Sequence, residues 1–141
     1  APLLAQRLIA VQLTATYLGV ALQKLWLPMW QSGEILRVSF MSRWGTSLAF
    51  GIAKLPLPDR VYDVVVEVVK FFEFLLPFGF WIRKVRPYAF LLGALLHIAI
   101  GALLSIWAFL VLIALYPCFL PPRDVERLVE RLRRALPGGR T

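Results

Sequence analysis

The chain is short of most of what soluble active sites are built from. It has one cysteine, Cys118, and one histidine, His97. A lone cysteine closes no intramolecular disulfide, and one of each forms no metal cluster. Acidic residues number eight, and charged residues make up 17% of the chain, against roughly 25% in soluble domains. No G-x-G-x-x-G, P-loop, G-x-S-x-G or H-E-x-x-H motif occurs. Signatures for dinucleotide binding, phosphate cradling, acyl transfer and zinc proteolysis are therefore missing. Ala1-Pro2-Leu3-Leu4 carries no basic stretch, so a cleavable signal peptide is not visible.

What is abundant is hydrocarbon. Of 141 residues, 60% are hydrophobic and 13% aromatic, and the mean hydropathy is +0.72. These values argue against disorder, a collagen-like repeat and a disulfide-stapled secreted globule, and for an integral membrane protein. The charge is lopsided, with sixteen Lys and Arg against eight Asp and Glu, a net +8. In a soluble domain that balance raises nucleic acid as a partner. No nucleic-acid motif accompanies it here, and six of the basic residues follow Pro122. Basic residues beside apolar spans fix topology and meet anionic headgroups. The expected partners are the lipid bilayer and other membrane subunits, with no nucleic acid.

Three stretches are long enough to cross about 30 Å of hydrocarbon at about 1.5 Å per residue. The first covers 3–27 and carries Gln6, Arg7, Gln12, Thr14, Thr16, Tyr17, Gln23 and Lys24. Arg7 and Lys24 sit near its ends, where long stems snorkel, and periodicity alone reads Lys24 as an interfacial anchor. The second covers 59–82 and opens on Pro58-Asp59, a helix start. It holds Asp63, Glu67, Lys70 and Glu73, which share a helical face with Pro77. Charges within a span face a protein interior or an aqueous cavity. Two readings stay open for this stripe: pairing along the helix, Glu67 with Lys70 and Lys70 with Glu73, or a functional cavity. The third covers 88–116 without one formal charge, and Gly93, Ala94 and Gly101 offer surfaces for close packing.

Residues 28–58 break the pattern with Pro28, Gly33, Gly45, Gly51, Pro56 and Pro58, and Trp26, Trp30 and Trp44 stand nearby. Tryptophan favours the headgroup zone, so Glu34 to Lys54 reads as a surface-lying helix or re-entrant piece. After Pro117, Pro121 and Pro122 the chain turns amphipathic. Val125, Leu128, Val129, Leu132 and Leu136 form its apolar stripe, and Pro137-Gly138-Gly139 ends it. This helix is expected on a membrane surface or a partner. The fold expected is all-α: three transmembrane helices plus an interfacial helix and a short amphipathic C-terminal helix. That makes a membrane domain over 1–122 and a basic tail over 123–141. With three spans, the 28–58 segment and the tail share a side. Arg37, Arg43, Lys54, Arg60 and the tail's six basic residues then outnumber Arg7, Arg83, Lys84 and Arg86. The positive-inside tendency puts the tail in the cytoplasm, although the dense 83–86 cluster pulls the other way.

Two residues carry candidate chemistry. His97, in an apolar span, has the ring nitrogens to ligate haem or another porphyrin-type pigment, or to move a proton. The plainer reading is a histidine hydrogen-bonded to a neighbouring helix. Lys24 has a second reading beside the anchor. Desolvation drives an ammonium toward its neutral form, and a neutral amine is a base. Cys118 would stand roughly 30 Å from His97 along a continuous helix, so a Cys–His pair is not expected and Cys118 reads as inert.

Tyr17-Leu18-Gly19-Val20-Ala21-Leu22-Gln23-Lys24-Leu25, followed by Trp30-Gln31-Ser32-Gly33, resembles the central motif of the HTTM-type membrane domain shared with vitamin K-dependent gamma-carboxylases. Glu73-Phe74-Leu75-Leu76-Pro77, Arg86-Pro87, His97 and Ala114-Leu115-Tyr116-Pro117 into Pro121 and Arg123 agree in order, so the likeness covers roughly residues 8–130. The resemblance implies a helical membrane domain, a quinone cofactor, and Lys24 as the base that deprotonates vitamin K hydroquinone. Oxygenation then yields the stronger base that takes the gamma proton of a protein glutamate. His97 matches a polar position of the late membrane helix. The chain departs from the family in the helices before the lysine and the large polar domain after the last span, and with these go the glutamate and propeptide sites. Three functions are therefore expected, in this order. The first is a non-catalytic accessory or scaffold subunit of a multi-subunit membrane complex, acting through helix packing and lipid contact. The second is a carboxylase-like membrane enzyme, or a fragment of one, with Lys24 as base. The third is a haem- or chlorophyll-binding subunit using His97.

Overall fold

The computed structural model describes residues 2–135; Ala1 and 136–141, with Leu136 and the closing Pro-Gly-Gly, lie outside the described residues. Every regular element among the described residues is helical. The α-helices are α1 (Pro2–Trp26), α2 (Glu34–Met41), α3 (Ser47–Ala53), α4 (Asp59–Trp81), α5 (Arg86–Leu104), α6 (Leu110–Ala114) and α7 (Pro122–Ala135). Short 3₁₀ turns fall at Pro28–Trp30, Trp107–Phe109 and Tyr116–Phe119.

Three long helices make the body, and each turns one narrow stripe inward. Ala10, Leu13, Tyr17 and Ala21 are the buried positions of α1, spaced three or four apart as one helical face requires. In α5 the stripe is Ala89, Gly93, His97 and Gly101, one residue per turn. Small residues at these positions let the backbones of packed helices approach closely. Between them α4 buries Tyr62, Val66, Lys70, Glu73, Leu76, Pro77 and Phe80. Phe80 is fully buried and meets the rings of Tyr17, Phe90, Tyr116 and Phe119. Such aromatic pairs are worth about 0.5–1.5 kcal/mol each beyond the area they cover.

Two of these helices, Leu4–Trp26 and Arg86–Leu104, are long and apolar enough to cross a membrane. The 23-residue α4 has the length but carries Glu67, Lys70 and Glu73 in its apolar half. A third passage by length and composition arises only if Trp107–Phe119 and Pro122–Arg131, which meet at 114°, count as one broken span.

The expected span over 88–116 is therefore corrected: its helix stops at Leu104. Ser105 takes a left-handed conformation (φ 54) and gives its N–H to the Gly101 carbonyl. A Cβ on Gly101 would stand 2.8 Å from the Trp107 ring, so the glycine is what lets the chain fold back. The freed carbonyls at the end of α5 find partners across the fold. Thr46 gives its N–H to Leu103 and its hydroxyl to Ala102. The 28–58 segment also differs from one surface helix. It forms two, α2 and α3, separated at Ser42–Thr46, where Gly45 packs so closely under the Phe40 carbonyl that a Cβ would lie 2.0 Å from its oxygen.

A second correction concerns sides. Past Ser105 the chain runs back along α5, so that Tyr116 stacks on Phe90 and Phe119 meets Trp81. Gln6 then gives its amide N–H groups to the carbonyls of Cys118 and Leu120. The tail thus leaves from the end of the bundle that holds the start of α1 and the α4–α5 turn. The 28–58 segment lies at the other end, after Trp26. Counting 88–116 as one crossing puts the two together; the reversal at Ser105 separates them.

Candidate functional site

Lys24 and Glu73 meet between α1 and α4 as an ion pair, with side chains 12% and 8% exposed. The Trp30 ring covers the ammonium, its centroid 4.3 Å from Nζ. An aromatic face stabilises a cation most where water is scarce. Lys24 is thus no snorkelling anchor; it points into the bundle. Pro77 lies one turn beyond Glu73 and has no N–H for the Glu73 carbonyl, which loosens α4 where the carboxylate is held.

The charged stripe of α4 does not act as a unit. Lys70 is buried and bonds Glu67 at 2.6 Å and the Trp30 carbonyl at 3.1 Å. Glu67 itself is exposed, and Glu73 turns away to Lys24. Asp63 accepts the Gly33 N–H at 2.6 Å. Of the two pairs expected along the helix, Glu67–Lys70 forms and Lys70–Glu73 does not.

The turn after α1 owes its place to Trp30-Gln31-Ser32-Gly33. Gln31 gives its amide N–H groups to the carbonyls of Lys24, Leu25 and Leu27, covering the end of α1 where carbonyls lack helical partners. Gly33 sits so close to α4 that a Cβ would lie 2.2 Å from the Tyr62 carbonyl carbon. These contacts hold the Trp30 ring over Lys24.

A cavity of about 500 Å³ opens beside this pair, between α1, α4, α5 and the 29–40 segment. Val20, Leu36, Phe40, Val69, Ile100 and Phe109 are among its apolar walls, and its polar lining includes Tyr17, Lys24, Glu73 and His97, with the hydroxyls of Thr16 and Ser39. Apolar walls with a few convergent polar groups are the usual form of a small-molecule site. His97 is 3% exposed. Its Nε2 is hydrogen-bonded to the Tyr17 hydroxyl, which lies 2.9 Å from the Tyr116 hydroxyl. Phe109 stacks on the imidazole at a 5.6 Å centroid distance and 4° between planes.

Lys24, Glu73 and His97 therefore share one cavity, while Asp63, Glu67 and Lys70 stand outside its lining. Tyr17 and Tyr116 were not singled out from sequence. Tyr17 falls on the buried stripe of α1, and its spacing from Lys24 was the available signal. Tyr116 joins the site only through the reversal at Ser105, which carries no such signal. Among the described residues no three His, Cys, Asp or Glu side chains gather as a metal site. Comparison with known protein families, curated proteins and solved structures finds no match for this chain.

Proposed function

We propose that the chain is an HTTM-type, carboxylase-like membrane unit whose cavity receives an apolar ring bearing ionisable oxygens, of the hydroquinone class, with Lys24 as proton acceptor. The meeting of Lys24, Glu73 and His97 on one apolar cavity carries the reading. The residues present suit such a group, with hydrocarbon walls for a ring and one buried ring nitrogen left without a partner. A hydroquinone, when bound, supplies an acidic hydroxyl on an otherwise apolar body. Lys24 reaches its amine form by passing a proton to Glu73, a step that leaves the pair's net charge at zero. Nζ would then be placed to take a proton from the bound hydroxyl, and the ammonium so formed would again face the Trp30 ring and Glu73.

The accessory-subunit reading rests on the charged stripe of α4 needing partners in a larger assembly, yet within this chain Glu73 pairs with Lys24, Lys70 with Glu67, and Asp63 with the Gly33 N–H. The cavity is what helix packing and lipid contact leave unexplained. The pigment reading fits less well, because Tyr17 engages His97 Nε2 and Phe109 stacks on the imidazole face.

The same proposal makes α4 a third span and the return of 105–120 along α5 a fourth passage, which brings the tail to the side of the α4–α5 turn. The outward residues of α4 are Val64, Val68, Phe71, Leu75 and Phe78, a surface suited to lipid, while Lys70 and Glu73 face inward. Arg7, Arg83, Lys84, Arg86 and the α7 arginines then share one side against Arg37, Arg43, Lys54 and Arg60 on the other. The positive-inside tendency assigns the richer side, with the tail, to the cytoplasm. The 83–86 cluster, which opposed that orientation from sequence, now agrees with it.

The decisive measurement is the anaerobic absorption spectrum of 2-methyl-1,4-naphthohydroquinone with the purified chain in detergent. The wild type should show the bound anion and Lys24→Ala the neutral hydroquinone. Identical spectra would remove Lys24 as base.

A further inference from the structure

The fold treats the two nitrogens of the chain's one histidine differently. Nε2 of His97 is bonded to the Tyr17 hydroxyl, and that hydroxyl is bonded to the hydroxyl of Tyr116. Nδ1 is buried and has no partner, the one such side-chain N or O atom among the described residues. The ring belongs to the lining of the cavity that Lys24 also lines.

Counting protons gives the direction of this chain of bonds. Each tyrosine brings one O–H, and a neutral imidazole brings one N–H. If Nε2 held the proton, it would donate to Tyr17, and Tyr17 would donate to Tyr116. The Tyr116 proton and the Nδ1 lone pair would then both be unmet. If Tyr116 donates to Tyr17 and Tyr17 donates to Nε2, both hydroxyl protons are used and Nδ1–H alone remains. Unmet buried polar groups are what a fold avoids, so the second arrangement prevails. A charged imidazole would place a second cation in the cavity of Lys24. Gly93 makes room for the arrangement, since a Cβ there would stand 2.3 Å from the Tyr116 hydroxyl oxygen.

We propose that Tyr116 and Tyr17 hold His97 as its Nδ1–H tautomer, making it a neutral hydrogen-bond donor to an accepting, carbonyl-type oxygen of the molecule in the cavity. The ligand half of this proposal rests on the cavity reading above; the tautomer half does not. Lys24 and His97 then address different oxygens of one ligand, one taking a proton and the other donating a hydrogen bond. Tyr17 and Tyr116 are positioning residues that act through His97.

With a single histidine, ¹⁵N-histidine labelling reports this ring alone. In the full chain in detergent, Nδ1 should resonate as the protonated nitrogen and Nε2 as the unprotonated one. Tyr17→Phe should move the proton to Nε2. Gly93→Ala, which displaces the Tyr116 hydroxyl, should shift the ring signals in the same sense. A wild-type Nε2–H spectrum overturns the tautomer, as does a Tyr17→Phe variant of unchanged helicity with the wild-type pattern. If Tyr17→Phe does not fold, the wild-type spectrum decides alone. For the ligand half, 2-methyl-1,4-naphthoquinone is compared with 2-methylnaphthalene, with Trp fluorescence reporting occupancy. A shift of Nδ1 by the quinone only supports the donor. Binding with no shift, or with equal shifts from both probes, overturns the donor and leaves the cavity reading standing. Absence of binding by either probe fails the cavity reading and the donor together.

Discussion

Lys24 of α1 and Glu73 of α4, 49 positions apart in the chain, form an ion pair in the interior of the bundle. α1 holds no acidic residue for Lys24, and Glu73 takes it in place of Lys70, three residues away on its own helix. Each charge would be costly alone in an apolar setting, and together, with Trp30 over the ammonium, they become a feature two helices can be built around.

Removing one member of this pair should hurt more than removing both. Glu73→Leu alone leaves the Lys24 ammonium buried and unpaired, at a cost of about 3–5 kcal/mol. Lys24→Met with Glu73→Leu replaces the pair by hydrocarbon and should recover most of that loss. Thermal unfolding midpoints in detergent for the two single variants and the double variant would show it. Additive losses would mean the pair is not coupled.

Gly33 and Gly19 should respond in opposite directions to the same methyl group. At Gly33 a Cβ would fall 2.4 Å from the Asp63 nitrogen and closer still to Tyr62. Gly33→Ala should therefore lift the 28–33 turn from α4 and destabilise by about 1–3 kcal/mol. At Gly19, inside α1, nothing lies within 4 Å. Gly19→Ala should stabilise by roughly 0.5–1 kcal/mol through helix propensity. A Gly33→Ala midpoint at or above that of the wild type would contradict the close approach there, and a lowered Gly19→Ala midpoint would contradict the open surface at Gly19.

The reversal after α5 hangs on one left-handed residue. Ser105→Gly relieves the steric cost of φ 54, and Ser105→Val raises it, so the two variants should differ by at least about 1 kcal/mol, with Gly the more stable. If Val is tolerated as well as Gly, the helix continues past Leu104 and the chain does not fold back.

The third span is checked by labelling. On a Cys118→Ala background, Phe71→Cys on the outward face of α4 should resist a charged maleimide in intact vesicles. Leu55→Cys, exposed in the turn before α4, should react from one side. Rapid labelling of Phe71→Cys would place α4 outside the bilayer.

Much of the helical organisation could be read from composition and spacing. The apolar runs over 3–27 and 88–116 were legible by length and composition, though the helix of the second ends at Leu104, and small residues at Gly93 and Gly101 marked the inward side of α5. The turn at 28–33 was visible as a break, yet its work was not. That Gln31 covers the end of α1 and that Gly33 admits α4 depend on what stands opposite them. The pairing within α4 shows the limit. Lys70 had carboxylates at three residues on either side, and local spacing could not choose between Glu67 and Glu73.

The sequence by itself determined that the chain is helical and where the apolar stretches behind α1 and α5 begin, because both depend on neighbours within a few turns. The end of α5 at Leu104 and the division of 28–58 into α2 and α3 were set by more distant contacts. The sequence also marked Lys24 and His97 as the candidates for moving a proton. Tertiary structure alone decided that Glu73 belongs to Lys24, that Tyr17 and Tyr116 belong to His97, and that the tail leaves from the end of the bundle opposite residues 28–58. Those outcomes hang on one residue's left-handed turn and on contacts between positions 49 to 114 apart. No local propensity encodes such contacts.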